Sequence, residues 1–592
     1  YGGTIDNPYW TRYENFESDS RKRLFGNMAL KYQIFDWLNA EGRISVDTYS
    51  YLQEERRNNG TLNGVGRYIR NNVNFTEKNY DLMLNFNKNI IPKLNVSGVV
   101  GTNIRRNDLN SIYALTNGGL VLDRLYSLSN SKDVPAAPVE VAEKIGVDGY
   151  YGAVSFGYNN LVFLDLTGRF DHSSTLPKDQ STYFYPSVAT SFIFSELLHS
   201  AALTFGKLRL NYAQVGSSAP PNSLVDVLLK PTPFGSVPIY SVGTTKKNPA
   251  LKPENTESFE AGVEMSFFQK RLGIDISAYK TNSKDQIMPV AISSTTGYSS
   301  KFVNAGEIEN KGIELSITGA PVRTPDFSWD VTVNWAKNKS KVLSLFDGVD
   351  NLQLGTFGVT INARVGQPYG TIMGTDFIYV NGQKQINQTT GEYLRTSASN
   401  NIIGNITPDW NGGISNKFSY KQFNLSFLID MQRGGDVFST DISTGNRSGL
   451  YDYTAGVNEL GNPIRNSVAS GGGVLLEGVD AAGKPNTVRT PMDNYTNALG
   501  SVKAPQKYFI YDASYVKLRE IAISYNLPTN VISRVRLTGA QLSVVGSNVW
   551  IIHKNLPFAD PEAGASSGNL QGNQTGVLPT TRDIGVNLKL QF

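Results

Sequence analysis

The chain has 592 residues, 18% of them charged, with a net charge of +4, no cysteine and three histidines. That charge is too small for the length to argue for nucleic acid or an anionic surface as partner. The lack of cysteine excludes disulfides and thiolate metal sites and suits an envelope compartment. No run approaches the ~18 apolar residues of a membrane-spanning helix, but spanning strands need only about ten residues with alternate ones apolar. The start, Tyr1-Gly2-Gly3-Thr4, has neither the basic nor the apolar part of a signal peptide, so a preceding segment is expected to have been removed.

In chain order, apolar–polar alternation predicts strands near 21–34, 38–47, 79–90, 92–106, 149–159, 161–171, 184–195, 203–215, 256–268, 271–283, 311–319, 327–335, 413–420, 422–432, 512–526, 537–551 and 583–592, about seventeen in all. Leu38, Ala40, Ile44 and Val46 alternate with Asn39, Glu41, Arg43, Ser45 and Asp47. Phe327, Trp329, Val331, Val333 and Trp335 alternate with Ser328, Asp330, Thr332 and Asn334. The last run sets Ile584, Val586, Leu588, Leu590 and Phe592 against Asp583, Gly585, Asn587, Lys589 and Gln591. The phase breaks near 518–521 and 541–545, where a bulge is expected.

The connections are predicted to alternate strictly between short and long. Short ones fall at 34–37, 90–93, 158–161, 268–272 and 419–423; long ones at 55–78, 106–149, 216–255, 284–310, 340–412, 433–511 and 552–580. Phe35, Trp37, Phe267, Phe268, Phe327, Trp329, Tyr420, Phe423 and Tyr525 flank the short turns, as aromatic rings at a membrane interface do. A soluble sandwich or propeller would alternate too. Loop asymmetry and girdle together favour an all-β, antiparallel transmembrane barrel in the outer membrane of a Gram-negative bacterium, with long loops extracellular and short turns periplasmic. If the C-terminus is periplasmic, the first strand runs downward. An odd number of strands is then expected before it, because bacterial barrels have even counts.

Several stretches resemble the TonB-dependent transporters of the SusC/RagA type of Bacteroidota. They are Lys247-Asn248-Pro249-Ala250-Leu251-Lys252-Pro253-Glu254-Asn255-Thr256, Asn304-Ala305-Gly306-Glu307-Ile308-Glu309-Asn310-Lys311-Gly312-Ile313-Glu314, Ile406-Thr407-Pro408-Asp409-Trp410-Asn411-Gly412-Gly413 and Asp512-Ala513-Ser514-Tyr515-Val516-Lys517-Leu518-Arg519. Pro253 departs from the family, which more often has Trp there. Read from the residues, these words are structural. Asn304 and Gly306 suit left-handed backbone at a reversal, and Gly312 suits a close approach on the face of Glu314.

The resemblance implies a 22-stranded plugged barrel. Residues 1–592 would then be the C-terminal portion of its wall, with the plug, its TonB-contacting segment and about five strands absent. It implies active import of oligosaccharide or oligopeptide, powered through TonB, with a SusD-like surface lipoprotein over the loops. A passive porin, or an adhesion or secretion barrel, is the alternative.

Charged residues that alternate with apolar ones should face the lumen or plug: Glu41, Arg43, Asp47, Asp165, Arg169, Glu260, Glu264, Asp275, Glu314 and Asp330. Lipid-facing Arg or Lys would cost about 2–4 kcal/mol near the midplane. Tyr369, Tyr379, Tyr393, Tyr451 and Tyr453 in the long loops are expected to contact substrate or lid, since aromatic faces suit sugar rings. Phe592, a terminal aromatic on an alternating strand, resembles an outer-membrane assembly signal. Nothing points to an enzyme. His172, His199 and His553 are far apart in sequence, and no phosphate loop, HExxH or GxSxG occurs. Gly64-Val65-Gly66 and Gly471-Gly472-Gly473 read as flexible loop, and Asp347 and Asp350 lack the rest of a calcium loop. No cofactor and no metal is expected.

Overall fold

The structure, a computed structural model, describes residues 6–592 apart from 63, 199, 232, 347, 494–496, 534–535, 565–567 and 569–570. His199 and Asp347 lie outside the described residues. Seventeen strands belong to one sheet. By its internal packing the chain divides into two units. One holds the chain up to Ser191 with Asn211–Glu257 and Ser283–Ala305; the other holds Phe192–Leu210, Ser258–Asn282 and Gly306–Phe592.

In the first unit an antiparallel meander runs through β1 (Asn15–Phe35), β2 (Leu38–Arg57), β3 (Arg67–Ile91), β4 (Leu94–Leu115), β5 (Val139–Tyr158) and β6 (Val162–Ser173). The turn into β6 places Asn159 and Asn160 at φ 50 and 54, the positive values that match a tight hairpin to the twist of its strands. β7 (Thr182–Phe192), β8 (Leu203–Ser217), β9 (Glu254–Phe267) and β10 (Leu272–Lys284) follow in chain order. In the second unit a further meander runs through β11 (Glu307–Arg323), β12 (Phe327–Ser344), β13 (Pro408–Tyr420), β14 (Phe423–Gly434), β15 (Tyr515–Asn526), β16 (Gly539–Lys554) and β17 (Asp583–Gln591).

Register gives each meander two unlike faces, since directly opposed residues share a side. In the first unit Ala40 opposes Tyr32 and Leu84, Gly42 opposes Leu30 and Leu82, and Ile44 opposes Met28 and Tyr80. Met28, Leu30, Leu82 and Val100 are each more than half exposed. A continuous bare apolar face of this kind is abnormal for a protein surrounded by water. In the second unit Trp329 opposes Phe418, and Val333 opposes Ile317 and Ile414. The polar Asn416 on that face is buried and accepts the Trp329 indole N–H at 3.1 Å. Aromatic pairs collect beside the short turns: Phe35 with Trp37 at 5.7 Å, and Phe423 with Tyr525 at 4.7 Å.

Two sequence expectations change. The strands outrun their alternation: β2 continues to Arg57 rather than 47, and β3 begins at Arg67 rather than 79. Beyond the apolar band the apolar residues change sides, Tyr49 opposing Phe75 and Tyr51 opposing Val73, so the alternation loses its phase while the ladder of hydrogen bonds continues. The connection expected at 55–78 shrinks to 58–66, and with 174–181, 193–202 and 527–538 also of middling length the short–long alternation is not strict. The second change concerns the bulge. It falls between Leu518 and Glu520, as expected, but 541–545 stay in register; the facing irregularity lies beyond Ser547, where Asn548 has φ 50.

The hydrophobic core is carried by the long loops. Val359, Ile361, Ile372, Ile403, Phe438 and Phe509, from the connections between β12 and β13 and between β14 and β15, form the largest cluster among the described residues. A single sheet with an apolar face on one side and a charged face on the other has no oily interior of its own, so the loops bury their apolar residues against each other.

Candidate functional site

The residues expected on the lumen side occupy the polar face. In the first unit Arg43 donates to Asp81 at 3.0 Å, and Asn103 donates to the same carboxylate at 2.7 Å. Asp47 takes the Arg23 Nε at 2.7 Å, and Glu41 sits opposite Lys31 on β1. Arg169 reaches Asp171 at 2.8 Å with its guanidinium 5.5 Å from the Tyr151 ring centre. Asp165 is half-buried opposite Ser155.

In the second unit Arg209 gathers Asp275 (3.1 Å), Glu260 (3.8 Å) and Glu264 (4.0 Å). Its guanidinium crosses Gly262, where an added Cβ would lie 2.6 Å from Nε. Arg209, Asp275, Glu314, Asn334, Asn411 and Asp430 border a recess of about 610 Å³. Asp330 pairs with Arg323 at 3.2 Å and opposes Lys417. Gly312 has the expected close approach: a Cβ there would meet the Tyr279 hydroxyl at 2.6 Å.

At the loop-bearing end of β15 lies a network that sequence reasoning left unassigned. Lys517, almost fully buried, donates to the equally buried Asp560 at 2.6 Å and also to Glu562. Arg519 donates to Glu562 at 2.7 and 2.8 Å, to Asp430 at 3.0 Å and to Asn548 at 3.0 Å. Tyr515 bridges Glu562 at 3.1 Å and Asp430 at 3.3 Å. The bulge at Arg519 makes this possible. Lys517 and Glu520 oppose Asp430 and Leu428 on the polar face, and the extra residue lets Arg519 join them while Leu518 and Ile521 stay on the apolar face.

The acidic partners come from the connection between β16 and β17, whose far end is also tied. Thr580 donates to Asp560 at 2.6 Å, and Asn548 donates to the Thr581 carbonyl at 3.1 Å. Burial raises the affinity of Asp560 and Glu562 for protons, but the bonds from Lys517, Thr580 and Arg519 outweigh it and hold both carboxyls below their usual range. Two basic residues two apart in an alternating strand, with Asp560-Pro561-Glu562 downstream, were the available sequence signal. Their partnership spans a separation of 43 residues, so no local pattern marks it.

The loop tyrosines fall into two groups. Phe377 bridges Tyr379 and Tyr393 (6.1 and 5.1 Å), and Tyr393 continues to Tyr508 at 6.4 Å. Tyr451 stacks on Phe558 at 4.4 Å and beside Tyr453 at 5.7 Å. Tyr393 and Tyr451 pack against the loop cores, and burial pushes the Tyr393 phenol up to about 12. Tyr379 and Tyr453 stay exposed. Tyr369 is half-buried, and its amide donates to Ser340 at 3.1 Å.

The family words are structural braces. Leu251 is fully buried with Leu176 and Ala219. Asn304 does not adopt the left-handed backbone expected of it. It ends a strand, and its amide side chain holds the Lys252 N–H (2.8 Å), the Lys252 carbonyl (2.7 Å) and the Asp285 carbonyl (2.9 Å) instead; Gly306 takes the positive φ, 86. His172 bonds Ser181 and Thr182, and His553 bonds Asn555. Asp350 accepts the Val365 N–H at 2.9 Å through its backbone carbonyl. Among the described residues no three metal-ligating groups converge. Phe592 lies one residue past β17 and is exposed.

A sheet with one bare apolar face, one charged face and a loop-borne core is the build of an outer-membrane β-barrel protein. The β-barrel of the TonB dependent receptor-like family matches residues 1–537, and the chain belongs to that family. TonB-dependent receptor P3 of Formosa agariphila is 25% identical, over all of this chain and 60% of the relative. The TonB-dependent receptor SusC of Bacteroides thetaiotaomicron is 24% identical, over 75% of this chain and 43% of the relative. The structure of the RagAB peptide transporter matches with a TM-score of 0.80 at 18% identity, over 99% of this chain and 63% of that one, a likeness of fold. The chain thus spans 60% or less of the length of the curated relatives it matches. These relatives are named as receptors and transporters, and the chain is an outer-membrane protein of the TonB dependent receptor-like β-barrel family.

Proposed function

We propose that this chain forms most of the wall of a 22-stranded outer-membrane importer whose lumen is gated by a plug domain. Import is energised through TonB, and a SusD-like lipoprotein caps the loops and delivers oligosaccharide or oligopeptide. The observation that carries this reading is the charged face. Its half-buried acids and bases, and the recess of about 610 Å³ bounded by Arg209, Asp275, Glu314 and Asp430, suit a docked hydrophilic domain or cargo better than an oily filling. Family membership supports the TonB coupling. In the loops, Tyr369, Tyr379, Tyr393, Tyr451 and Tyr453 serve as contacts for lid or substrate, with Tyr379 and Tyr453 the most exposed of them. Phe592 serves as the assembly signal.

The deciding experiment is uptake by cells carrying the full-length protein, with and without TonB. Loss of uptake without TonB is the expected result. Uptake that persists would overturn the reading in favour of a passive porin.

A further inference from the structure

The apolar face of the first unit ends abruptly. On β2 it covers 38–46, which is the ~9–11 residues of a tilted spanning strand. One step short of its loopward limit Ile44 opposes Met28 and Tyr80, and Tyr80 opposes Ile104; at the limit Val46 opposes Lys78. On the same face, Lys78 stands directly opposite Arg106. Lys144 is the diagonal neighbour of Arg106, since it opposes Asp108 while Arg106 opposes Gly146. These side chains, with Asp108 and Ser174, line a recess of about 560 Å³. The Arg106 guanidinium folds over Gly146, where an added Cβ would meet it at 3.4 Å.

Like charges directly opposed across two strands repel. Here Asp148 holds Arg106 at 2.7 Å, Asp108 reaches Lys144 only at 4.0 Å, and Lys78 has no ion pair among the described residues. The unbalanced charge is therefore positive. It sits at the edge of the lipid-facing band, on the side of the long loops, which is the extracellular side of such proteins. Lipid phosphates lie at that depth, and basic side chains at a headgroup level attract them.

We propose that Lys78, Arg106 and Lys144 form a binding site for the phosphorylated headgroup of an outer-leaflet glycolipid. The lipid chains would lie along the apolar band below, continuous with the surface formed by Met28, Tyr80 and Ile104. The site faces away from the lumen, so it is independent of what is imported and of whether TonB drives it.

The test is the full-length protein in phosphatidylcholine nanodiscs doped with diphosphorylated lipid A, with bound lipid counted by native mass spectrometry. The expected result is retention of lipid A by the parent, weaker retention of its dephosphorylated form, and a loss on the order of 100-fold in the Lys78→Gln, Arg106→Gln, Lys144→Gln triple variant, at roughly five-fold per cation. A Lys78→Arg, Lys144→Arg variant should keep the lipid. Retention by the triple variant equal to the parent's overturns the site. So does equal binding of dephosphorylated lipid A, or saturation by inorganic phosphate at the same concentration as lipid phosphate. Heat-dependent gel migration checks folding. Should the triple variant fail to assemble, Lys78→Gln alone decides, with about five-fold weaker retention expected and unchanged retention overturning the site.

Discussion

Replacing Lys517 by methionine will release the connection between β16 and β17 from the wall. Lys517 and Asp560 are both almost fully buried, and removing one partner leaves an uncompensated charge in a poorly solvated place. Breaking such a pair typically costs about 3–5 kcal/mol. The loss should be local, because the β15–β16 ladder does not depend on the loop. Hydrogen exchange at 555–564 and 571–582 should therefore rise steeply while the strands stay protected. Adding Asp560→Leu to Lys517→Met should recover part of the protection, since a buried pair replaced by apolar residues leaves no stranded charge. Unchanged exchange in the single variant would show that the network does not hold the loop.

The same network predicts an acid response, with a definite sign. Asp560 and Glu562 have folded proton affinities below their usual carboxylate values. Their contribution is complete above roughly pH 4, the range of free Asp and Glu. It is lost as pH falls through the depressed folded values. Protection at 555–564 and 571–582 should be flat from neutrality to about pH 5 and drop in stronger acid, and Lys517→Met should blunt that drop.

The second large effect concerns the two faces of β12. Val333→Arg puts a cation on the apolar side between Ile317 and Ile414, at an expected cost of about 2–4 kcal/mol near the midplane. Thr332→Arg, one residue away, opposes Thr318 and Ser415 on the polar side and should cost little. Denaturant unfolding of the full-length protein in lipid reads both. Equal costs for the two variants would contradict the assignment of the faces.

Much of the wall was readable because alternation is a local property. Glu41, Arg43 and Asp47 alternate with Leu38, Ala40, Ile44 and Val46 because a spanning strand meets lipid on one side only, and the structure keeps them on the polar face. The break in phase near 518–521 was equally visible and is a real bulge. The misplaced partner at 541–545 shows the limit: a bulge is a property of a pair of strands, and one strand's sequence does not say where the other yields. Loop tyrosines were visible as residue types, but which of them pack inward depends on Phe377, Phe558 and Tyr508, brought in from distant connections.

By itself, the amino-acid sequence determined the all-β class, the place of the strands in the chain and which side of the alternating runs is apolar. Each of these follows from the chemistry of neighbouring residues against lipid or water. Only the tertiary structure decided that β2 and β3 run past the bilayer band, that the loops carry the core, and that Lys517 and Arg519 clasp Asp560 and Glu562. Those outcomes depend on hydrogen-bond ladders and buried charges between segments far apart in the chain, where energy is gained only once both partners are in place.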